Sequence, residues 1–342
     1  MNPTLAELGE ADLLRRLARF APPGQLDDDT ACLSSDPRPI LINTDVLVDG
    51  VHFSDATTSA EDVGWRAVSA NLSDLAASGA ISMDGITVAL VAPGETHWDW
   101  VNGVYNGIAE ALSSFGGILL GGDCSTGEER LLSLTALGRL GPCRLHRGHA
   151  CPGDVLVTSG VHGLSRLGLA LLLGDPEVDR SILSASLQAE AIQRHRRPIP
   201  RFDALQALLD CKPAQLPWRA GGTDSSDGLL AGISELCASS NCGALLDRDQ
   251  LPKAVDWPNG PAWDQWCLAG GEDFELVLSL PPAWADAWLQ AFPEGRRLGS
   301  VHAGINAVLW SDDRTAVRAP GFDHFGRPAT KNPPRRKGRD QA

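Results

Sequence analysis

Strand-like and helix-like segments alternate along this 342-residue chain, and this order restricts its fold more than any other feature. Apolar runs predict strands at 38–47, 86–91, 118–120, 131–140, 154–158, 244–246 and 275–280. Helical periodicity, caps and glycine stops predict helices at 5–20, 60–78, 98–115, 164–173, 184–194 and 229–239. The mixture predicts an α/β (α+β) protein in which helices pack on sheets.

A cluster of Gly, Pro, His and Arg at 141–153 interrupts this alternation. The chain is also long enough to favour two domains over one. We therefore predict an N-terminal domain at 1–142 and a C-terminal α/β domain at 143–328. Residues 329–342 are basic and rich in Pro and polar residues, which predicts a disordered tail.

The charge balance limits the partners of the chain. A formal net charge of -14 repels nucleic acid and anionic membrane, so neither is expected as a partner. The longest apolar runs are far below the ~18 residues of a spanning helix. The eight cysteines show no C-x-x-C spacing, which argues against zinc and favours free thiols in a reducing cytoplasm.

Six short clusters of acids lie far apart in sequence at turn-like or strand-end positions, beside Gly, Ser, Thr or Asn. They are 27–29, 43–45, 71–74, 121–123, 224–228 and 270–273. Carboxylate and hydroxyl oxygens suit Mg²⁺, and Mg²⁺ in turn suits phosphates. A lysine-bearing phosphate loop, G-x-x-x-x-G-K-[ST], is missing from the sequence. The simplest hypothesis is an enzyme that holds a nucleoside triphosphate through several metal ions.

Each residue also has a structural explanation when it is taken alone. An acidic triplet such as 27–29 is often a solvated turn, and Asp74 could be a capping or i,i+4 partner. Ser226 or Asp227 could cap the helix that follows. Arg147 is either a phosphate clamp or a surface arginine, and His52 is either a substrate contact or a turn histidine. The residues alone leave these alternatives open.

Together these segments resemble the thiamine-monophosphate kinase family of the aminoimidazole-ribonucleotide-synthetase-like superfamily. The resemblance covers about residues 5 to 326. It is carried by D-D-T-A at 28–31, N-T-D-V-L-V-D-G-V-H-F at 43–53, G-W-R-A at 64–67, N-L-S-D-L-A-A at 71–77, G-G-D at 121–123, residues 147–154, D-S-S-D-G-L at 224–229, G-G-E-D-F-E-L at 270–276 and G-F-D-H-F at 321–325. The V-D-G-V-H-F and G-G-E-D-F-E-L stretches are specific to the kinase branch.

The resemblance implies a homodimer, paired through its N-terminal sheets, that transfers the γ-phosphoryl group of ATP directly to thiamine monophosphate. It implies several Mg²⁺ ions, with ATP as co-substrate. The implied metal ligands are Asp28, Asn43, Thr44, Asp45, Asp74, Asp123, Asp224 and Asp227. The implied ATP contacts are Tyr105, Gly122, Asp123, Arg147 and Ser226, and the implied thiamine-phosphate contacts are His52, Glu272 and Phe322. No side-chain base is expected.

Three departures from the family pattern accompany the resemblance. Asp27 stands where Gly is usual, Asn43 replaces Ser or Thr, and Phe274 replaces Tyr. The main alternative is another ATP-using enzyme of the superfamily, such as aminoimidazole ribonucleotide synthetase or selenophosphate synthetase. A non-catalytic metal- or nucleotide-binding regulator is the third hypothesis, and the intact acids at every position argue against it.

Overall fold

The computed structural model describes residues 2–319, and within them the chain builds two separate sheets. The first sheet has the strand order β1-β4-β2-β3. Strands β2 and β3 are parallel, and the other two pairs are antiparallel. Its strands are β1 (Ile40–Val48), β2 (Ala80–Ala92), β3 (Ile118–Thr126) and β4 (Leu131–Leu140). Its helices are α1 (Leu5–Leu17), α2 (Ala60–Ala77) and α3 (Trp98–Phe115).

The two faces of the first sheet differ. Alternate residues of β2 and β4, such as Val88 and Leu134, are fully buried in one apolar core with α2 and α3. On β1, Leu47 belongs to that core, whereas Ile40, Ile42 and Val46 are exposed on the opposite face. Because successive side chains of a strand point to opposite faces, the sheet has one covered face and one open, partly apolar face.

The second sheet has six strands in the order β10-β7-β9-β5-β8-β6. All pairs are antiparallel except β10 with β7. Its strands are β5 (Val155–Thr158), β6 (Gly221–Asp224), β7 (Gly243–Leu246), β8 (Leu276–Leu280), β9 (Arg296–His302) and β10 (Val308–Trp310). Its helices are α4 (Leu164–Leu173), α5 (Ala185–Arg196), α6 (Phe202–Asp210), α7 (Leu229–Ser239), α8 (Pro261–Ala269) and α9 (Pro282–Ala291).

The second sheet is covered on both faces. Leu276, Leu278 and Leu280 of β8 pack with α6 and α9, whereas Val277 packs on the other side with α7. A strand that is buried on both faces is nearly continuously apolar, as β8 is apart from Ser279. The strand predicted at 275–280 and the helix α7 were therefore visible in the sequence, whereas α6 and α9 were not predicted.

Helix α2 lies between the two sheets. Its N-terminus is capped by Ser59, whose hydroxyl accepts a hydrogen bond from the Asp62 N–H at 3.2 Å. It contacts β1, β2 and β4 of the first sheet and β6 and β8 of the second. Ala76 and Ala77, near its C-terminus, pack in the core of the second sheet. Any side chain that α2 directs toward this junction is therefore close to both sheets.

Two glycines bring α2 and α3 into backbone contact. A Cβ at Gly64 would lie 1.9 Å from the Val104 carbonyl oxygen, and one at Gly107 would lie 1.8 Å from the Glu61 carbonyl oxygen. Such distances exclude any larger residue without separation of the helices. The position of α2 is thus fixed by close packing on α3.

The C-terminal end of α5 joins the two halves of the molecule. Arg197 pairs with Asp62 of α2 at 2.6 Å and with Glu110 of α3 at 2.7 Å. The Trp65 indole N–H donates to the Pro198 carbonyl oxygen at 2.8 Å. These contacts hold the second sheet's helices against those of the first.

The predicted α/β (α+β) class is confirmed by the two sheets and their helices. The proposed division at residues 142 and 143 falls between β4 and β5 and stays a prediction. Phe322 and the predicted tail at 329–342 lie outside the described residues. Within residues 2–319, none of the helices has the length and apolar character needed to cross a membrane.

Candidate active site

Three carboxylates from three elements face the junction between the sheets. Asp45 comes from β1, Asp74 from α2, and Asp224 from the end of β6. The Asn43 amide donates to Asp74 Oδ2 at 3.1 Å, and the Ser73 hydroxyl donates to Asp224 Oδ2 at 2.6 Å. The register of β1 places Asn43 and Asp45 on its covered side, where α2 packs. We call Asp45, Asp74 and Asp224 the acid cluster.

The acid cluster is electrostatically unfavourable when it holds no cation. Burial raises the pKa of Asp74 to about 7, and Asp224 and Asp45 add to the shift. Burial also raises the pKa of Asp45, with Asp224 and Asp227 contributing. Asp224 is 4% exposed, and burial raises its pKa, although the hydrogen bonds from Ser73 and Ser226 act to lower it. Like charges in a buried position favour protonation or a bound cation.

The donor atoms of this region suit Mg²⁺. The Oδ1 atom of Asn43 is buried and lacks a hydrogen-bond partner among the described residues, so this oxygen is available as a metal ligand. Within 2–319, however, no three His, Cys, Asp or Glu side chains are arranged to enclose an ion. Mg²⁺ keeps waters and takes one or two carboxylates together with substrate phosphates. The residues therefore fit ions whose coordination a phosphate ligand would complete.

A cavity of about 390 Å³ opens beside the acid cluster. Asn43, Asp74 and Asp224 line one part of it, and Arg147 lies among the other lining residues. Arg147 donates to the Thr223 hydroxyl at 3.0 Å and pairs with Glu235 at 3.0 Å, at a guanidinium that is half exposed. The remaining walls are Leu41, Ile42, Leu75, Ala77, Ser78, Arg144, Leu145, His146, Gly222, Thr223 and Ser239. The cavity thus combines apolar walls with two carboxylates and two arginines.

The turn between β6 and α7 carries two more of the predicted residues. The Ser226 hydroxyl donates to Asp224 Oδ1 at 2.9 Å, and the Ser226 carbonyl oxygen accepts from the Glu272 N–H at 2.6 Å. Asp227 is exposed and close enough to affect Asp45 electrostatically. Neither side chain makes the helix cap that was the alternative explanation.

A second group of residues surrounds Glu272. Arg66 of α2, which is 3% exposed, pairs with Glu272 Oε1 at 2.7 Å. Burial opposes ionisation of Glu272, but the charge of Arg66 and its hydrogen bond are the main causes that lower the pKa of this carboxyl. The His52 ring Nδ1 accepts from the Val48 N–H at 3.1 Å. The predicted contacts His52 and Glu272 are thus brought together.

Five predicted residues lie apart from the acid cluster. Asp28 and Asp123 are exposed, and each accepts a hydrogen bond from the next residue's N–H. Thr44 faces the open side of the first sheet, where its hydroxyl bonds Thr135 at 2.8 Å. Tyr105 is 3% exposed and packs on Phe20, so its ring belongs to the core in this conformation. The fifth is Gly122 of β3.

Gly122 has a structural explanation of its own. Residues 121–123 were expected at a strand end, but they lie inside β3. A Cβ at Gly122 would lie 2.0 Å from the Val88 carbonyl oxygen on β2, so the strand pairing itself requires glycine. Its role as an ATP contact stays a prediction, as do the ligand roles of Asp28, Thr44, Tyr105 and Asp123.

Sequence reasoning gave no role to Arg66, Ser73 or His195. Arg66 belongs to G-W-R-A, which was noted only as part of the resemblance. A signal was present, because an arginine among the apolar positions of a buried helix needs a partner. The partners themselves are distant in sequence and could not be read from it.

Comparison with known proteins agrees with this geometry. Residues 27–140 match the family model "AIR synthase related protein, N-terminal domain". The chain is 53% identical to a thiamine-monophosphate kinase from Prochlorococcus marinus, over 94% of this chain and 97% of that protein. The chain belongs to the thiamine-monophosphate kinase family. The predicted resemblance and the kinase class are therefore confirmed.

Two further thiamine-monophosphate kinase family comparisons cover nearly the whole chain. The enzyme of Synechococcus elongatus is 40% identical over 94% of this chain and 98% of that protein. The solved structure of AaThiL complexed with AMPPCP and TMP is 28% identical, with a TM-score of 0.72 over 95% of this chain and all of that chain. Both sheets therefore lie within the region shared with the family.

Proposed function

We propose that this chain transfers the γ-phosphoryl group of ATP to thiamine monophosphate, giving thiamine diphosphate and ADP. The names of its relatives and the complex with AMPPCP, an ATP analogue, and TMP support this activity. The observation that carries the proposal is the position of the acid cluster. It lies between the cavity that Arg147 lines and the group formed by Arg66, Glu272 and His52.

Helix α2 sets the distance between the proposed nucleotide cavity and the proposed acceptor site at Glu272. Arg66, Asp74 and Ser78 follow one another along it, and Ser78 borders the cavity. At 1.5 Å per residue, Arg66 and Asp74 are about 12 Å apart along the axis, and Asp74 and Ser78 about 6 Å. The triphosphate would occupy the cavity side, and the acceptor would approach from the Glu272 side, so that both phosphate ends meet at the acid cluster.

The metal-binding part of the proposal assigns Asp45, Asp74, Asp224 and Asn43 to several Mg²⁺ ions. The further ligands would be Asp28, Thr44, Asp123 and Asp227. When bound, Mg²⁺ would neutralise the repulsion between the two phosphate groups and orient them. The raised pKa values of Asp45, Asp74 and Asp224 support this assignment, because each carboxylate is short of positive charge.

The remaining residues would bind and orient the two substrates. Arg147 and Ser226 would contact the triphosphate, and His52, Glu272 and Phe322 would contact the thiamine end. The acceptor phosphate is already ionised at neutral pH, so direct in-line transfer needs no side-chain base. Positioning and charge neutralisation would supply most of the rate.

The open face of the first sheet supports a homodimer. Ile40, Ile42 and Val46 of β1 are 49%, 65% and 42% exposed on that face. Adjacent exposed apolar side chains on a sheet are typical of interfaces. A second copy related by a two-fold axis would cover the same face of each N-terminal sheet.

One assay tests the proposed activity. Purified protein with Mg²⁺, ATP and thiamine monophosphate should form thiamine diphosphate and ADP in equal amounts, and free thiamine should be a far poorer acceptor. ATP with a chiral γ-phosphate should give inverted stereochemistry. Failure to form thiamine diphosphate would refute the substrate, whereas retained stereochemistry would refute direct transfer.

A further inference from the structure

Arg66 joins three separate chain segments around Glu272. Its guanidinium donates to the Glu272 carboxylate at 2.7 Å, to the His52 carbonyl oxygen at 3.4 Å, and to the His195 carbonyl oxygen. These partners come from the loop after β1, the end of α5 and the loop before β8. One buried side chain therefore fixes the relative positions of all three segments.

The Glu272 segment needs such support. Glu272 has a φ of 56° and Phe274 a φ of 54°, both in the left-handed region that disfavours residues other than glycine. The Glu272 N–H is held by the Ser226 carbonyl oxygen at 2.6 Å. Arg66 therefore supplies the side-chain restraint on Glu272 itself, in a loop whose backbone is strained.

Only one oxygen of the Glu272 carboxylate is taken by Arg66. Oε2 lies 3.9 Å from His195 Nδ1, and the Glu272 side chain is 35% exposed. Burial and then Arg66 lower the pKa of His195 to about 4, so this histidine is uncharged at neutral pH. Arg66 consequently balances the Glu272 charge through Oε1, and it makes no hydrogen bond to Oε2.

We propose that Arg66 is a positioning residue for the phosphoryl acceptor: it holds Glu272 so that Oε2 accepts from, or pairs with, a cationic or amino-bearing acceptor. This rests on the proposed function, because the acceptor there carries a cationic ring and an amino group. Arg66 itself does not touch the acceptor. It acts through Glu272 and through the fixed His52 segment.

The test compares Arg66→Met, Arg66→Lys, Glu272→Gln and the double variant Arg66→Met/Glu272→Gln. Arg66→Met should raise the KM for thiamine monophosphate by about tenfold or more, as expected when a hydrogen bond between charged groups is lost. The KM for ATP should stay within about threefold, since the nucleotide cavity does not include Arg66. Arg66→Lys should recover part of the loss, because its ammonium retains the charge for Glu272.

The double variant separates positioning from general stability. If Arg66 acts through Glu272, the double variant should be little worse than Glu272→Gln alone, because the two changes remove one shared interaction. Equal increases in both KM values, additive effects in the double variant, or an unchanged acceptor KM would each overturn the proposal. Melting temperatures of all variants identify any that fail to fold. If Arg66→Met is one of them, the KM values of Arg66→Lys are compared with those of the wild type instead.

Arg197→Met is the matched control. Arg197 also bridges the two halves of the molecule, through Asp62 and Glu110, but it has no contact with Glu272 in the described residues. It should lower stability without a selective change in the acceptor KM. Calorimetric binding of thiamine monophosphate accompanies the kinetics. If wild-type protein binds this ligand without turnover, the proposed reaction fails. The role of Arg66 is then tested by comparing the dissociation constants of wild type and variants for thiamine monophosphate. If it neither binds nor reacts, both proposals fail.

Discussion

The Asp74 carboxylate is in an unfavourable position when no cation is bound, and the same property supports the ligand role proposed for it. Its carboxylate is held near Asp45 and Asp224, and burial removes the water that would otherwise screen the three charges. The Asn43 amide relieves only part of this repulsion. On the proposed function, Asp74 serves ligand binding at the expense of stability.

Asp74→Asn should separate these two effects. We expect the metal-free variant to melt about 2 °C or more above the wild type, because a repelled buried charge is lost. We expect its turnover to fall by about 100-fold or more, because a ligand for the phosphate-bound cation is gone. Calorimetric scans in chelator and steady-state rates in Mg²⁺ measure the two.

The exposed Asp286→Asn on α9 is the control for Asp74→Asn, and it should change neither quantity. Near wild-type turnover of Asp74→Asn at saturating Mg²⁺ would show that Asp74 is not a ligand.

His195 should make the folded state sensitive to acid. Burial, followed by Arg66, lowers its pKa to about 4, and the other charged groups that face it are Glu272, Arg196 and Arg166. The unfolded chain binds a proton near pH 6.5, whereas the folded state does so only near pH 4, so stability is full above pH 6.5 and declines as pH falls. The loss between pH 6.5 and 5 should be about 2 kcal/mol from this group.

Urea unfolding at pH 7.5 and 5.0 measures this loss. His195→Gln should lose less stability between the two pH values than the wild type does. The exposed His97→Gln serves as the control and should keep the wild-type loss. An equal loss in the wild type and in His195→Gln would assign the acid sensitivity to other groups.

At the scale of elements, close packing on α3 fixes the position of α2, and α2 supplies residues to both parts of the candidate site. Gly64 and Gly107 let the two backbones approach, and the same helix then presents Arg66 to Glu272 and Asp74 to the acid cluster. A change in the α2–α3 distance must therefore displace both Arg66, which pairs with Glu272, and Asp74 of the acid cluster.

Gly107→Ala tests this coupling. Its Cβ would lie 1.8 Å from the Glu61 carbonyl oxygen, so we expect a loss of about 3 kcal/mol in the free energy of unfolding. Turnover should fall as well, although Gly107 is not in the site. Asn106→Ala, at an exposed position of the same helix, should stay within about 0.5 kcal/mol with normal turnover. Normal turnover in a destabilised Gly107→Ala would show that the α2 position is not critical.

Local periodicity predicted elements well where neighbours in sequence determine them. The helices at 164–173 and 229–239 and the strand at 131–140 have the predicted bounds. The strand that begins at Ile118 was predicted to end at Leu120, because Gly121 and Gly122 resemble a turn. In the structure it continues to Thr126. The reason for Gly122, the nearby Val88 carbonyl, exists only in the assembled sheet.

The same limit applies to the site. Asp45, Asp74 and Asp224 were named as candidate ligands on the family resemblance, because acid clusters beside small residues are visible in the sequence. The Arg66–Glu272 pair spans 206 positions and was not. Thr44 was grouped with Asp45 by motif, although strand alternation places their side chains on opposite faces.

For the whole molecule, the open face of the first sheet is the main surface left to explain. It presents apolar side chains of β1 on the side that α2 and α3 do not cover. An uncovered edge strand with exposed isoleucines would otherwise favour aggregation.

Ile42→Asp should therefore convert a dimer into a monomer. Ile42 is 65% exposed, and a carboxylate at this position would be buried without a partner in the proposed interface. Sedimentation equilibrium at micromolar concentration measures the mass. Ile182→Asp, at a 57% exposed isoleucine outside this sheet, should remain dimeric. A monomeric wild type, or a dimeric Ile42→Asp, would contradict the proposed interface.

The contacts that complete the site also order its formation in time. Ser73 bonds Asp224 across 151 positions, and Arg66 bonds Glu272 across 206. Because closing such long loops is slow relative to forming helices and hairpins, these pairs form late in folding. During synthesis, all four strands of the N-terminal sheet leave the ribosome before Asp224 and Glu272 do. On the proposed function, the nascent chain would until then lack part of each ligand-binding group, and we expect activity to appear only with the last step of folding.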